Sequence, residues 1–192
     1  MTVVFSTSSP VASVALFDEE RLIASNSREA PMAASGACLE MLEHLLKSCG
    51  VAVADVELFV SDAGPGSFTG VKVGVTLAKS LAFALGAKAA AVSSFDLISP
   101  SETVVIPSRK GEWFVRIPGQ VGIRTTKLPD GAVGFGPGVS PSTFPEARRA
   151  ESLLASVVTI APEQLLPTYL AEPSISTPKT PYRSMSAGAD GA

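Results

Sequence analysis

The chain has 192 residues, a hydrophobic fraction of 46% and a charged fraction of 17%, enough for one sizeable core or two small lobes. Its fifteen prolines and sixteen glycines are too scattered for a fibrous protein and too sparse for general disorder. The formal net charge is -3 and the pI about 5.2, which argues against a stand-alone nucleic-acid binder. Basic residues occur only in short pairs such as Arg109-Lys110 and Arg148-Arg149, so any service to RNA chemistry calls for a more basic partner.

Cys38 and Cys49 fall in one helical stretch. At about 1.5 Å rise per residue they sit roughly 16 Å apart, beyond disulfide reach. Two unpaired thiols and a single histidine give no zinc pattern, and they suit a reducing cytosol. No signal-peptide pattern is visible and no run approaches eighteen apolar residues, so the expectation is a soluble, cytoplasmic chain with no membrane span.

In chain order, Val3-Val4-Phe5 reads as a strand and Ser6 to Pro10 as a polar turn. Val11 to Phe17 reads as a second strand and Arg21 to Ser27 as a weaker third, an antiparallel meander. Cys38, Leu39, Leu42, Leu45, Leu46 and Cys49 then recur at steps of mainly three and four, a helix over 35–49 with Ser35 as N-cap and Gly50 as terminator. Val56 to Val60 is a strand, Thr69 to Leu85 a helix closed by Gly86, and Lys88 to Val92 a strand. Alternation of this kind favours parallel pairing.

Three antiparallel strands followed by alternating helices and strands give an α/β fold of the actin-like (ribonuclease-H-like) class. It has a mixed βββαβαβ sheet and a smaller, degenerate second lobe. Strands are expected at Val104 to Ile106, Trp113 to Ile117 and Val157 to Ile160, with a helix over Thr143 to Ala155. The expected division is 1–98 for the N-terminal subdomain with its helices, 99–176 for the reduced lobe and 177–192 for a poorly packed, Ser/Pro/Gly/Ala-rich tail.

The most informative stretch is Gly64-Pro65-Gly66-Ser67-Phe68-Thr69-Gly70-Val71-Lys72-Val73-Gly74, where a strand gives way to a helix. Backbone N–H groups at such a junction hold either an anion or a neighbouring carbonyl. The third glycine falls one residue late for a dinucleotide fingerprint, and Val71 stands where a P-loop needs lysine. A structural turn and a phosphate site both stay open, the turn being the first reading. Gly70, Gly74, Ala78 and Ala82 form a small-residue row along the second helix. That row fits close packing on the chain's own sheet and a subunit interface equally.

The same run, with Ala78-Lys79-Ser80-Leu81-Ala82 and Val92-Ser93-Ser94-Phe95, resembles the signature of the TsaB (YeaZ-type) family, the glycoprotease-like homologues of TsaD. Weaker echoes are Arg109-Lys110-Gly111-Glu112-Trp113-Phe114 and Pro167-Thr168-Tyr169-Leu170. The resemblance spans roughly residues 3 to 173. It implies a non-catalytic dimerisation and scaffold subunit that pairs with the TsaD transferase. With the TsaE ATPase, that complex places a threonylcarbamoyl group on N6 of an adenosine in tRNAs reading ANN codons. It also implies homodimers when the protein is alone, contact with tRNA only through the complex, and no cofactor, although ATP or ADP at the subunit junction is left open. The implied partner face lies on the first two helices, at Cys38, Leu42, Leu45, Gly70, Val71, Gly74, Ala78 and Ala82.

Departures from the family pattern are Ser6 and Pro107 where Asp is common, Ala171 where Arg is common, and Ala34-Ser35 where His-Ser is common. The second lobe is also short. His44 lies among Glu40, Glu43 and Lys47 off the apolar face, a solvated position. No catalytic residue and no metal ligand is expected. The competing readings are an actin-like ATPase or kinase that uses the Gly64–Gly70 turn for phosphate, with Asp62 as the one nearby acid, and a homodimeric binding protein.

Overall fold

The computed structural model describes residues 1–30, 34–109 and 111–170. Strands β1 (Thr2–Ser6), β2 (Val11–Asp18) and β3 (Arg21–Glu29) form the antiparallel meander. Helix α1 (Ala34–Cys49), β4 (Leu58–Asp62), α2 (Phe68–Leu85) and β5 (Lys88–Val92) follow. The sheet order is β3-β2-β1-β4-β5, with β4 parallel to both β1 and β5. This is the mixed βββαβαβ sheet expected from the alternation.

The side-chain alternation of β1 explains its unbroken apolar run. Val3 and Phe5 face α1 and α2, in a core with Val14, Met41, Phe59 and Val75. Val4 faces the other way, with Phe17, Val60, Leu97, Ala150 and Leu154. A central strand covered on both faces has no polar side to show. By contrast β3, at the edge, alternates between exposed and half-buried positions.

Both helices end on glycine in the left-handed region. Gly50 (φ 65°) and Gly86 (φ 66°) let the next amides reach back, Val51 N–H to the Leu46 carbonyl and Ala87 N–H to the Ala82 carbonyl. Ser67 is the N-cap of α2, its Oγ accepting from Gly70 N–H at 3.2 Å. Ser35 does not cap α1: the helix already includes Ala34, so Ser35 lies within its first described turn. Helix α2 is long and apolar enough by length and composition to suit a bilayer. Its apolarity here matches a small-residue face buried against the chain's own sheet.

Beyond β5 a short α3 (Ser94–Ile98) joins the two halves, with Leu97 in the first sheet's core and Phe95 and Ile98 in the second's. The second sheet holds β6 (Val104–Pro107), β7 (Trp113–Arg116), β8 (Ile123–Thr125) and β9 (Val133–Gly134) in the order β8-β7-β6-β9. Arg116 is buried beneath it, donating to the carbonyls of Ser99 and Pro100 and lying 3.3 Å from Asp96.

Two expected elements are corrected. The segment read as a helix over 143–155 forms short 3₁₀ runs, Ala147–Ser152 and Leu154–Ser156. Ala147 and Ala150 are buried at a spacing of three, the 3₁₀ repeat, and Ser13 Oγ pins Ala147 N–H at 2.9 Å. The segment read as a strand over 157–160 makes a single bridge, Ile160 to Ala89. Thus residues 147–160, assigned from sequence to the small lobe, lie on the first sheet. The segment read as a tail, 177–192, lies outside the described residues.

Candidate functional site

The carboxyl ends of parallel β1, β4 and β5 lie side by side, the place where open α/β sheets gather ligands. Here that place is occupied by the chain itself. Asp62, the last residue of β4, is fully buried. Its Oδ2 accepts from Ser6 Oγ at 2.7 Å and Ser8 Oγ at 2.5 Å. Its Oδ1 accepts from Ser94 Oγ at 2.5 Å and Gly64 N–H at 2.9 Å.

Burial pushes the Asp62 carboxyl above its ordinary value of 3.8, against the opposing pull of the donors Ser8, Ser94, Gly64 and Ser6. Ser6 Oγ also lies 2.9 Å from the Pro145 carbonyl. A hydroxyl has one proton, so Ser6 serves one acceptor at a time. The network therefore accommodates either protonation state of the acid.

The glycine turn is closed in the same manner. Gly64 has φ 100° and its peptide to Pro65 is cis. Ser67 N–H donates to the Ser8 carbonyl at 2.7 Å, and Thr7 Oγ1 donates to the Gly70 carbonyl at 2.7 Å. A side chain at Gly66 or Gly70 would strike the backbone carbonyls of Ser8 and Thr7. Glycine is needed at both because the first hairpin loop lies directly on the turn. On the other side Thr168 N–H donates to the Ala63 carbonyl at 2.7 Å, and Tyr169 meets Phe68 with ring centroids 5.1 Å apart. Lys72 Nζ lies 4.0 Å over the Phe68 ring.

Gly64, Ser67 and Gly70 thus spend their N–H groups inside the chain. The fan of free amides that a phosphate requires is missing at these three positions, and the turn acts as a joint.

The eight residues assigned to a partner face are also placed differently. Cys38, Leu42, Leu45, Gly70, Val71, Gly74, Ala78 and Ala82 are all buried within this chain. A Cβ at Gly74 would lie 2.7 Å from Thr7 Oγ1 and 3.0 Å from Ser61 Oγ. The small-residue row is the seat of α2 on β1 and β4, where small side chains let helix and sheet close up. Burial also pushes the Cys38 thiol up to about 12, which leaves it unreactive at neutral pH. Apolar side chains left outside on these helices include Leu39 (46% exposed), Phe68 and Phe83 (69% exposed), and His44 is exposed as expected.

Sequence reasoning weighed Asp62 but missed its partners Ser6, Ser8 and Ser94. The available signal was an acid closing an otherwise buried strand, with serine clusters at the ends of two neighbouring strands. Ser6, where the family resemblance leads one to look for a carboxylate, receives one from the next strand.

The family model described as TsaD, tRNA N6-adenosine threonylcarbamoyltransferase, matches residues 28–107. A curated relative, the tRNA threonylcarbamoyladenosine biosynthesis protein TsaB of Bacillus subtilis (strain 168), is 37% identical over 93 residues. The match covers 48% of this chain and 41% of that protein, so the chain aligns with less than half the relative's length. A solved structure of YeaZ from Pseudomonas aeruginosa superposes with a TM-score of 0.71 at 26% identity, over 88% of this chain and 99% of that one. A Pseudomonas aeruginosa protein described as similar to peptidase YeaZ gives a TM-score of 0.74 at 25% identity, with the same coverage. The fold is the actin-like α/β arrangement, and the chain is similar to proteins of the TsaB/YeaZ type over the stretches given.

Proposed function

We propose that this chain is a non-catalytic scaffold subunit that pairs with a TsaD transferase and supports threonylcarbamoyl transfer to N6 of adenosine in tRNA. The observation that carries the reading is the closed turn. Where an actin-like enzyme would bring phosphate to the strand ends, Asp62 is bound by three serine hydroxyls and an amide, and the Gly64–Gly70 loop is stitched to Ser8 and Thr7. An enzyme of that class needs a carboxylate free to organise a metal ion and amides free to hold phosphate. The similarity to a TsaB named for threonylcarbamoyladenosine biosynthesis supports the pathway, and the TsaD-family match over 28–107 takes in all of both helices.

In this reading the partner docks on side chains that α1 and α2 leave outside, Leu39 first among them, and not on the eight buried positions. TsaE and tRNA are engaged through the complex, and a homodimer uses the same face when TsaD is absent. The test is size-exclusion chromatography with light scattering on this protein mixed with TsaD of its own organism. A one-to-one complex is expected, weakened at least about tenfold by Leu39→Arg, because burying an unpaired charge costs more than about 1.4 kcal/mol. Failure of the wild-type proteins to associate, or hydrolysis of ATP by this chain alone, would sink the scaffold reading.

A further inference from the structure

The partners of Asp62 allow two complete hydrogen-bond arrangements that differ by one proton. Ser8 Oγ lies 2.5 Å from Oδ2, Ser94 Oγ lies 2.5 Å from Oδ1, and the two hydroxyls lie 3.1 Å from each other. The acid and these two serines therefore form a closed triangle. Ser6 stands outside it, its Oγ 2.7 Å from Oδ2 and 2.9 Å from the Pro145 carbonyl.

Counting protons separates the two states. With the carboxylate ionised, Ser6, Ser8, Ser94 and Gly64 N–H all donate to it, and the Pro145 carbonyl loses Ser6. With a proton on Oδ2, that oxygen donates to Ser8, Ser8 donates to Ser94, and Ser94 and Gly64 N–H donate to Oδ1. Oδ2 is then a donor and a poor acceptor, so the Ser6 proton turns to Pro145. Pro145 is buried and opens the segment 145–156, whose Ala147, Ala150 and Leu154 cover the Val4 face of the first sheet. The state of the acid thus reaches a segment that it does not touch itself.

The charged side chains on the surrounding elements are engaged elsewhere. Asp96 of α3 lies 3.3 Å from Arg116, and Glu146, beside Pro145, lies 3.0 Å from Arg148. Arg149 donates to the Ile98 carbonyl, and Glu151 accepts from Leu22 N–H. On α2, Lys72 sits over the Phe68 ring and Lys79 donates to the Glu163 carbonyl. Lys88 is at the opposite end of β5, where Val92 is the residue beside Asp62. Burial therefore sets the balance toward the neutral acid, against the four donors.

We propose that Asp62, Ser8 and Ser94 are a one-proton latch, which when neutral leaves Ser6 on the Pro145 carbonyl and when ionised draws Ser6 away and loosens the 145–156 segment. It stands apart from the scaffold reading and from the outer faces of α1 and α2. The latch is closed on the acid side and opens as pH rises through the folded value.

The test follows the full chain from about pH 4 to pH 9 with two readouts, the carbon signal of the Asp62 carboxyl and amide exchange corrected for its intrinsic pH dependence. The carboxyl should titrate above its ordinary value of 3.8. In the same step the amides of Ala147, Arg149 and Leu153 should lose at least about tenfold in protection, while those of Val4 and Val60 keep theirs. Asp62→Asn should hold the segment protected across the range. Ser6→Ala keeps the triangle, so its carboxyl should still titrate, moved upward by the loss of one donor, but with no step in exchange. This second variant decides the matter if Asp62→Asn fails to fold. A carboxyl already ionised at the acid end, or one with no step across the range, would overturn the latch. So would segment protection that ignores the carboxyl step, or a step that persists in Ser6→Ala.

Discussion

The two sheets solve the same problem with different means. The first is covered on both faces, and its central strands β1 and β4 are apolar along most of their length. The second has strands of two to four residues, one face packed on a cluster dominated by Phe95, Phe114 and Phe135 and the other on a smaller cluster of Val105, Trp113 and Val115. The first sheet carries its precision in backbone approach, with Gly66 and Gly70 under the carbonyls of Ser8 and Thr7. The second relies on a few large rings and on Arg116 clamping the carbonyls that end α3. A molecule built this way should break globally at the first sheet and locally at the second.

The largest effect is expected at Gly70. Its added Cβ would meet the Thr7 carbonyl, a backbone atom that cannot rotate away. Gly70→Val should therefore cost on the order of 4–5 kcal/mol and abolish soluble folded protein. Circular dichroism and denaturant titration give the answer, and a variant with a near wild-type midpoint would show that the hairpin loop is not seated on the turn.

Phe114→Ala should cost about 3–4 kcal/mol, since the ring is buried among Phe95, Ile106 and Phe135. The contrast with Gly70 lies in where the loss falls. Hydrogen exchange should quicken across β6 and β7 while β1 and β4 stay protected. Uniform loss of protection would mean that the two sheets unfold as one unit and that the regional difference has no energetic content.

Asp62→Ala should cost about 2–3 kcal/mol by leaving three serine hydroxyls without their shared acceptor. Asp62→Asn sharpens the point through pH. The folded pKa is raised, so the stability this group contributes is fully present below the ordinary value of 3.8 and is lost as pH rises through the folded value. Asparagine keeps the shape and lacks the titration. As pH rises above about 4, the stability of Asp62→Asn relative to wild type should therefore improve. A difference that stays flat, or runs the other way, would place the carboxylate ionised and comfortable in its cage.

Much of the first sheet could be read from sequence because local pattern and burial agree there. The steps of three and four in α1, and Gly50 and Gly86 as terminators, are local facts that survive folding. The site was less legible because its contacts are remote: Ser6 and Ser94 reach Asp62 across 56 and 32 residues. The small-residue row showed that something packs closely on α2, but a row of glycine and alanine carries no label for whether the neighbour is the same chain or another. The 143–155 helix failed because a spacing of three between Ala147 and Ala150 fits a 3₁₀ turn as well as an α-helix. Strands β8 and β9, with three and two residues, have too little length to display alternation.

The smallest effect reverses the sign and isolates what makes Gly70 and Gly74 special. Gly36 also lies in a helix, in the first described turn of α1, but a Cβ there would meet nothing within 4 Å, and the residue is exposed. With no close approach to permit, this glycine has only its entropic cost relative to alanine. Gly36→Ala should stabilise the protein by about 0.5–1 kcal/mol, read as a rise of about 1–4 °C in Tm. Destabilisation at Gly36 would mean that α1 is approached there by a surface that its burial does not reveal. In that case the partner face would extend to the first turn of α1, and Leu39, one turn on, would be its neighbour.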